Sequence, residues 1–328
     1  MLLSYQHLLR LYIREPGMRA PLFVALVSAV CLARAGQTHT FADACPGTMA
    51  SFMLGLAVDA GRPCPRPGRR ILSIDSDSRE RPMPQREADV AATPDIERLV
   101  APGQHVREVG GGVLSALSAD RQTAPYDRHA GKYDRLIGSR LYNRLIWGTR
   151  PEDYSAFADE ALRAGEGPFL EVGCGTAVFT AAAYRETSRP LVLTDRSLEM
   201  LGRAAERLGD APATLMQADI HALPFSPGSF QTVACFAVLH VLDDPWSALA
   251  ALREHMAPDG TLFASMLVTD RGGTSRPYLS LLRRRGEVGP LRSASDLKAA
   301  AISVFGDSVA VQRTGSMAWL RAGSSTSP

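Results

Sequence analysis

From residue 168 to the carboxyl end, short apolar runs alternate with longer stretches whose apolar residues recur at helical spacing. The runs at 168–172, 191–195, 213–217, 230–236 and 260–267 read as buried strands, and 177–186, 198–208 and 245–256 as the helices between them. Such alternation predicts a parallel sheet wrapped by helices on both faces. Two further strands are expected at 309–312 and 317–320. Upstream, Leu136, Ile137, Leu141, Leu145 and Ile146 share one helical stripe. Pro151 can open the next helix, with Tyr154, Phe157, Ala158 and Leu162 facing inward.

Residues 1–124 lack this periodicity. The stretch from Arg62 to Pro94 is rich in Pro, Arg, Ser and Asp and cannot bury enough apolar surface to offset its ordering entropy. We therefore expect a largely disordered, low-complexity extension over 1–124, continued by the run Gly110-Gly111-Gly112, and a folded domain over 125–328. One apolar segment, Leu22 to Ala33, follows Arg10, Arg14 and Arg19. It is too short to span a bilayer, which takes about 20 residues. Ala33-Arg34-Ala35 imitates a signal-peptidase site, so a secretory signal, an organelle address and an unstructured extension are competing readings. Export would part the chain from cytosolic cofactor, and the cytoplasm is the expectation.

Composition narrows the function classes. Hydrophobic residues make up 45% and charged residues 21% of 328, the balance of a globular protein. The net charge of +2 gives no general pull towards nucleic acid. Only Lys132 and Lys298 are lysines, so the basic charge is almost all arginine. Cys31, Cys45, Cys64, Cys174 and Cys235 show no zinc-ligand spacing, and no metal is expected.

Candidate chemistry concentrates at Glu171-Val172-Gly173-Cys174-Gly175-Thr176-Ala177. Gly173 and Gly175 let the chain turn sharply after a strand, so that a ligand can lie against bare backbone, and a helix starting near Thr176 would point its free N–H groups at the same hollow. Twenty residues on, Asp195 closes the next strand, where a carboxylate can accept from a ribose diol. The pattern predicts a nucleoside-binding crevice. Val178 stands where a pyrophosphate fingerprint has its third glycine, and Glu171 would repel a pyrophosphate but suit a cation.

With these residues the chain resembles the class I S-adenosylmethionine-dependent methyltransferases, over roughly residues 125 to 328. Further motifs follow in that family's order: Asp195 with Ser197 and Met200-Leu201, Gln217-Ala218-Asp219-Ile220 before Leu223-Pro224-Phe225, Phe230 to Phe236 with Leu239-His240, and Met256 to Gly260. Tyr126-Asp127 and Tyr133-Asp134 resemble the start of the small-molecule branch that includes ubiquinone and menaquinone C-methyltransferases. The resemblance implies a Rossmann-like α/β fold with a mostly parallel seven-stranded sheet, an antiparallel last strand and a helical lid over 126–166. It implies S-adenosyl-L-methionine as cofactor, held by Tyr133, Glu171, Gly173, Cys174, Gly175, Asp195, Arg196, Asp219, Ile220 and Phe236. Ala177 replaces a frequent third glycine, and Gln231 replaces an acid common after the Phe of the fourth strand.

The expected activity is methyl transfer to oxygen or carbon of a small, partly apolar molecule. No Asn-Pro-Pro-Tyr or Asp-Pro-Pro-Tyr follows the fourth strand, and no basic stripe interleaved with aromatics suggests nucleic-acid binding. His240, at the carboxyl end of that strand, is the candidate catalytic acid–base group. Its bland alternative is a packed loop histidine. Tyr126 and His129 could line the lid side, and Arg283-Arg284-Arg285 could meet an acidic substrate or form a solvated helix face. Two other function classes compete: an S-adenosylmethionine-binding protein without catalysis, whose amino-terminal segment recruits a partner, and a nicotinamide oxidoreductase, which Val178 and Glu171 disfavour.

Overall fold

The computed structural model describes residues 95–118, 137–272 and 275–323. All of them belong to one unit of the chain, Asp89–Pro328. The expectations for residues 1–94, Leu22 to Ala33 among them, and for Tyr126, His129 and Tyr133 lie outside the described residues.

Nine strands form one sheet among the described residues: β1 Arg107–Gly110, β2 Val113–Ser115, β3 Phe169–Val172, β4 Leu191–Asp195, β5 Ala213–Gln217, β6 Phe230–Cys235, β7 Met256–Leu267, β8 Val309–Thr314 and β9 Met317–Gly323. Their order is β1-β2-β5-β4-β3-β6-β7-β9-β8. The block from β2 to β7 is parallel, and β9 runs antiparallel to both its neighbours. The seven expected strands are β3 to β9. The other two correct the sequence reading, because residues 107–115 form a hairpin on the sheet's edge and not a continuation of a linker. The triple glycine is its turn, with positive φ at Gly110, Gly111 and Gly112. A three-residue strand carries too little periodicity to be recognised by itself.

Helices cover both faces. Helix α1 (Ile96–Leu99) and the short α2 (Arg140–Tyr142), which runs on into a wider π-type turn over Asn143–Trp147, precede α3 (Pro151–Arg163). Then follow α4 (Ala181–Glu186), α5 (Leu198–Leu208), α6 (Pro245–His255), α7 (Ser275–Arg284) and α8 (Ala294–Phe305). Local chemistry sets their starts. Pro151 and Pro245 sit at first helical positions, where a missing N–H costs nothing. The Ser197 side chain accepts from Met200 N–H, and Asp244 accepts from Trp246 and Ser247 N–H. One core cluster joins Phe169, Leu191, Leu193 and Phe263 to Tyr154, Phe157, Leu201 and Trp319. The other joins Leu170, Val192, Val233 and Leu262 to Leu249, Leu252 and Leu297. Alternate residues of a strand thus serve opposite layers.

The segment before α3 packs across the carboxyl end of the sheet. Ser316 N–H donates to Trp147 C=O at 2.7 Å, and Arg271 Nη1 donates to Ile146 C=O at 3.3 Å. Arg189 anchors the far end of α3. Its guanidinium, only 7% exposed, donates to Ala161 and Leu162 C=O at 3.3 and 2.8 Å. It also reaches Gly167 C=O at 3.1 and 2.8 Å and Thr232 Oγ1 at 3.1 Å, and lies over the Phe169 ring. This one side chain therefore gives the Leu162 carbonyl at the end of α3 a donor and adds one to Ala161 C=O, which also accepts from Ala164 N–H. Arg189→Met is expected to lower stability by on the order of 3 kcal/mol, because buried carbonyls lose their donors. Urea unfolding monitored by circular dichroism checks this.

Candidate active site

The carboxyl ends of β3, β4 and β5 converge on one crevice. Gly173 and Gly175 turn the chain after β3 with φ of +77° and +54°. At Gly173 a Cβ would lie 2.3 Å from Val238 Cγ2, so this glycine allows the turn after β3 to pack against the loop after β6. At Gly175 a Cβ would meet nothing within 4 Å: the backbone there borders open space. The next regular helix begins at Ala181, not near Thr176 as expected, and residues 176–180 are turns closed by Ala177 N–H to Cys174 C=O and Thr180 N–H to Ala177 C=O. The backbone bordering the hollow therefore belongs to the glycine turn rather than to a helix end.

Asp195 ties this turn to β4. Gly175 N–H donates to Asp195 Oδ2 at 2.9 Å and Ser197 N–H to Oδ1 at 2.8 Å. Gly173 and Cys174 N–H both donate to Thr194 C=O, at 2.7 and 2.9 Å. A carboxylate can accept about four hydrogen bonds, so being fixed by two amides and binding a diol are compatible. Arg196 is exposed and its Nη1 lies 3.5 Å from Asp219 Oδ2. Asp219 Oδ1 accepts from His221 N–H at 3.0 Å, and Ile220 beside it is buried.

Glu171 stands behind the turn, not open to the hollow. It is 2% exposed, and its Oε2 accepts from Tyr184 Oη at 2.8 Å, a partner the motif did not announce. Burial raises its carboxyl to about pKa 7, against the lowering effect of the Tyr184 bond; the charge on Asp195 raises it further. Cys174 and Cys235 are buried, and burial pushes both thiols well above their ordinary value, as suits inert apolar residues.

On the other side of the crevice, Phe236 is half-buried and meets Phe157 edge-on, with ring centroids 5.5 Å apart. Ala237 follows with φ +55°, its N–H bound to Ser265 Oγ at 2.9 Å. His240 lies in the short helical turn Leu239–Val241. Burial lowers its imidazole to about pKa 4, so it is neutral at pH 7. Leu267 N–H points at its Nδ1 from 3.5 Å, which puts the proton of the neutral ring on Nε2. With Nδ1 turned to Leu267 N–H, the His240 nitrogen left for acid–base chemistry is Nε2. Arg283 pairs with Asp243 at 3.3 Å and Arg285 with Glu287 at 2.6 Å, on a solvated helix end. The motif that contains Gln217 gave this residue no role of its own; it is wholly buried at the end of β5, and its Nε2 donates to Arg196 C=O at 3.0 Å. Among the described residues no cluster of His, Cys, Asp or Glu is placed to hold a metal ion, and no helix is long and apolar enough to cross a membrane.

This donor set fits an adenosyl cofactor. Open backbone at Gly175, a strand-end carboxylate at Asp195 and the acid Asp219 suit a ribose diol and its base better than a pyrophosphate. Residues 170–264 match the family model described as "Methyltransferase domain". An uncharacterized chloroplastic methyltransferase of Arabidopsis thaliana is 30% identical over 187 residues, covering 52% of each chain. A mitochondrial arginine-hydroxylase of Danio rerio is 29% identical over 51% of this chain and 50% of its own. A ubiquinone biosynthesis O-methyltransferase of Methylococcus capsulatus is 33% identical over 101 residues, 30% of this chain and 42% of that one. The chain spans between 28% and 58% of the first curated relatives it matches. The sheet topology is that of a Rossmann-like methyltransferase fold, and the match to a methyltransferase-domain model lies within it. Within the chain, its family-matching part runs from Leu170 on β3 to Ala264 on β7.

Two predictions follow from the turn. Ala177 has φ +52°, a left-handed conformation that costs an L-residue roughly 1–2 kcal/mol. Ala177→Gly should therefore stabilise the protein by about 1 kcal/mol, read as a higher urea midpoint. Glu171 has a folded pKa raised from 4.5 to about 7, so its contribution to stability is full below pH 4.5 and is lost as pH rises towards 7. Glu171→Gln keeps an acceptor for Tyr184 and should remove on the order of 3 kcal/mol of this decline, seen as a flatter Tm between those pH values.

Proposed function

We propose that this protein transfers a methyl group from S-adenosylmethionine to an oxygen or carbon atom of a small, partly apolar molecule. The observation that carries the reading is the convergence of open glycine backbone and strand-end carboxylates on one crevice. When bound, S-adenosylmethionine supplies a methyl group on a sulfonium, open to in-line displacement. The chain's own part is to bind, align and exclude water. Asp195 would hold the ribose hydroxyls and Asp219, steadied by Arg196, the adenine edge. The Gly173–Gly175 backbone would lie along the cofactor, while Glu171, held by Tyr184, would steady the turn from behind. Tyr133 belongs to the same proposal as a lid contact.

The acceptor side is aromatic. Tyr142 and Trp147, in the segment before α3, pack with Tyr278 of α7, with centroids 5.5 to 6.3 Å apart. Phe236, half-buried after β6 and packed on the buried Phe157, adds a further aromatic ring. His240 would donate its Nε2 proton to an acceptor oxygen, holding it in line, and the acceptor's own acidity would supply the nucleophile. The Methylococcus relative, named for ubiquinone biosynthesis O-methylation, supports an oxygen acceptor and the quinone-related branch.

Calorimetry with S-adenosylmethionine and S-adenosylhomocysteine, followed by a mass-spectrometric screen of host metabolites, tests the proposal. A net gain of CH2 on one metabolite supports it. A gain of one oxygen would instead point to chemistry like that named for the Danio rerio relative, and binding with no altered metabolite to a non-catalytic binder. Asp195→Ala is expected to weaken S-adenosylhomocysteine binding at least about tenfold, the worth of roughly one charge-assisted hydrogen bond. Asp195→Asn, which keeps an acceptor for one of the two amides, separates that loss from loosening of the turn.

A further inference from the structure

We infer that the amino-terminal hairpin is part of the cofactor site, and that Ser115 and Gln217 are positioning residues for the ribose-binding carboxylate. The inference rests on the adenosyl reading above and adds Ser115, which lies before the family-matching segment, and Gln217 within it.

Gln217 is fully buried at the last position of β5, directly beside Asp195 in the parallel register. Its two amide ends are used differently. Oε1 accepts from Ser115 Oγ at 2.8 Å, and Ser115, on the hairpin strand β2, is itself 1% exposed. Nε2 donates to Arg196 C=O at 3.0 Å. Because Ser115 donates to Oε1, the amide is orientated with its NH2 towards Arg196, the only sense that serves both contacts. The hairpin is locked in place around this pair: Ala116 N–H donates to Gln217 C=O at 2.9 Å, Leu117 N–H to Ser115 Oγ at 3.2 Å, and Arg107 Nη2 to Leu117 C=O at 3.2 Å.

The consequence falls on Asp195. The Arg196 carbonyl belongs to the peptide whose N–H is that of Ser197, and that N–H fixes Asp195 Oδ1. Holding the carbonyl therefore stops the peptide from turning and keeps the carboxylate aimed. The same residue, Arg196, carries the guanidinium beside Asp219, so the proposed ribose and adenine contacts share one anchor. Without the hydroxyl of Ser115 the glutamine loses the partner that sets its sense. Without the NH2 of Gln217 the carbonyl has no donor from this side.

In the full chain, Ser115→Ala and Gln217→Glu are each expected to raise the Kd for S-adenosylhomocysteine about tenfold, the worth of one buried hydrogen bond. Calorimetry reads this directly. The ligand-induced rise in Tm should shrink to match, and in turnover the loss should fall on the cofactor's KM rather than on kcat. A merely structural role would lower the ligand-free Tm and leave affinity and KM of the folded variant where they were, and that outcome overturns the inference. Should Gln217→Glu not fold, Ser115→Ala decides it. If the variants bind as well as a wild-type chain that does bind, this inference alone falls. A wild-type chain that leaves S-adenosylhomocysteine unbound overturns the cofactor reading and this inference with it.

Discussion

Everything at the crevice depends on one junction, the Asp195 carboxylate accepting the N–H groups of Gly175 and Ser197. Two parallel strands, β3 and β4, diverge after Val172 and Thr194, the last register pair between them. Divergence opens the hollow but would leave the turn amides without partners. The carboxylate and the Thr194 carbonyl take four of those amides and so give the turn one shape. The junction also decides where charge resides. Glu171, buried close by, holds its proton to about pH 7, chiefly because of burial and in part because Asp195 is charged. Two carboxyls a strand apart thus divide the work: one accepts amides at the rim, the other stays behind the turn with Tyr184.

The crevice has a second wall with related mechanics. Ala177 and Ala237 are the two non-glycine residues with positive φ among the described residues, one in the turn after β3 and one in the loop after β6. Those strands are neighbours, and the contact between Gly173 and Val238 leaves no room for a methyl group between the loops. Such conformations persist only where surrounding structure over-determines them. Here the surroundings are the Asp195 junction on one side and the Ser265 hydroxyl bound to Ala237 N–H on the other. Strain and ligand-facing backbone coincide because sharp turns at adjacent strand ends leave a gap between them.

How much of this is legible in the sequence follows from the range of each interaction. Buried strands β3 to β9, the glycine turn and the strand-end acids are encoded within a few consecutive residues, so periodicity and turn chemistry reveal them. The caps at Ser197, Pro151 and Pro245 are local in the same way. By contrast, Tyr184 reaches back to Glu171, Arg189 to carbonyls on α3, and Ser115 to Gln217 across 102 residues. Nothing local marks these polar residues as buried. Which ring nitrogen of His240 carries the proton is likewise set at a distance, by Leu267 on another strand.

The hairpin shows what a missed element does for the rest. A seven-stranded sheet would end at β5, leaving that strand's backbone unpaired along the flank that holds Gln217. Adding β2 in parallel pairs that edge and supplies Ser115, so the amide that steadies Arg196 is shielded from competing water. The new edge, β1, is suited to exposure: it is short, carries Arg107 and Glu108 outward, and ends in the turn of three glycines. Covering β5 is therefore what residues 107–115 contribute to the described fold. A chain beginning at the first methyltransferase motif would keep the glycine turn and lose one of the supports that hold its carboxylate in place.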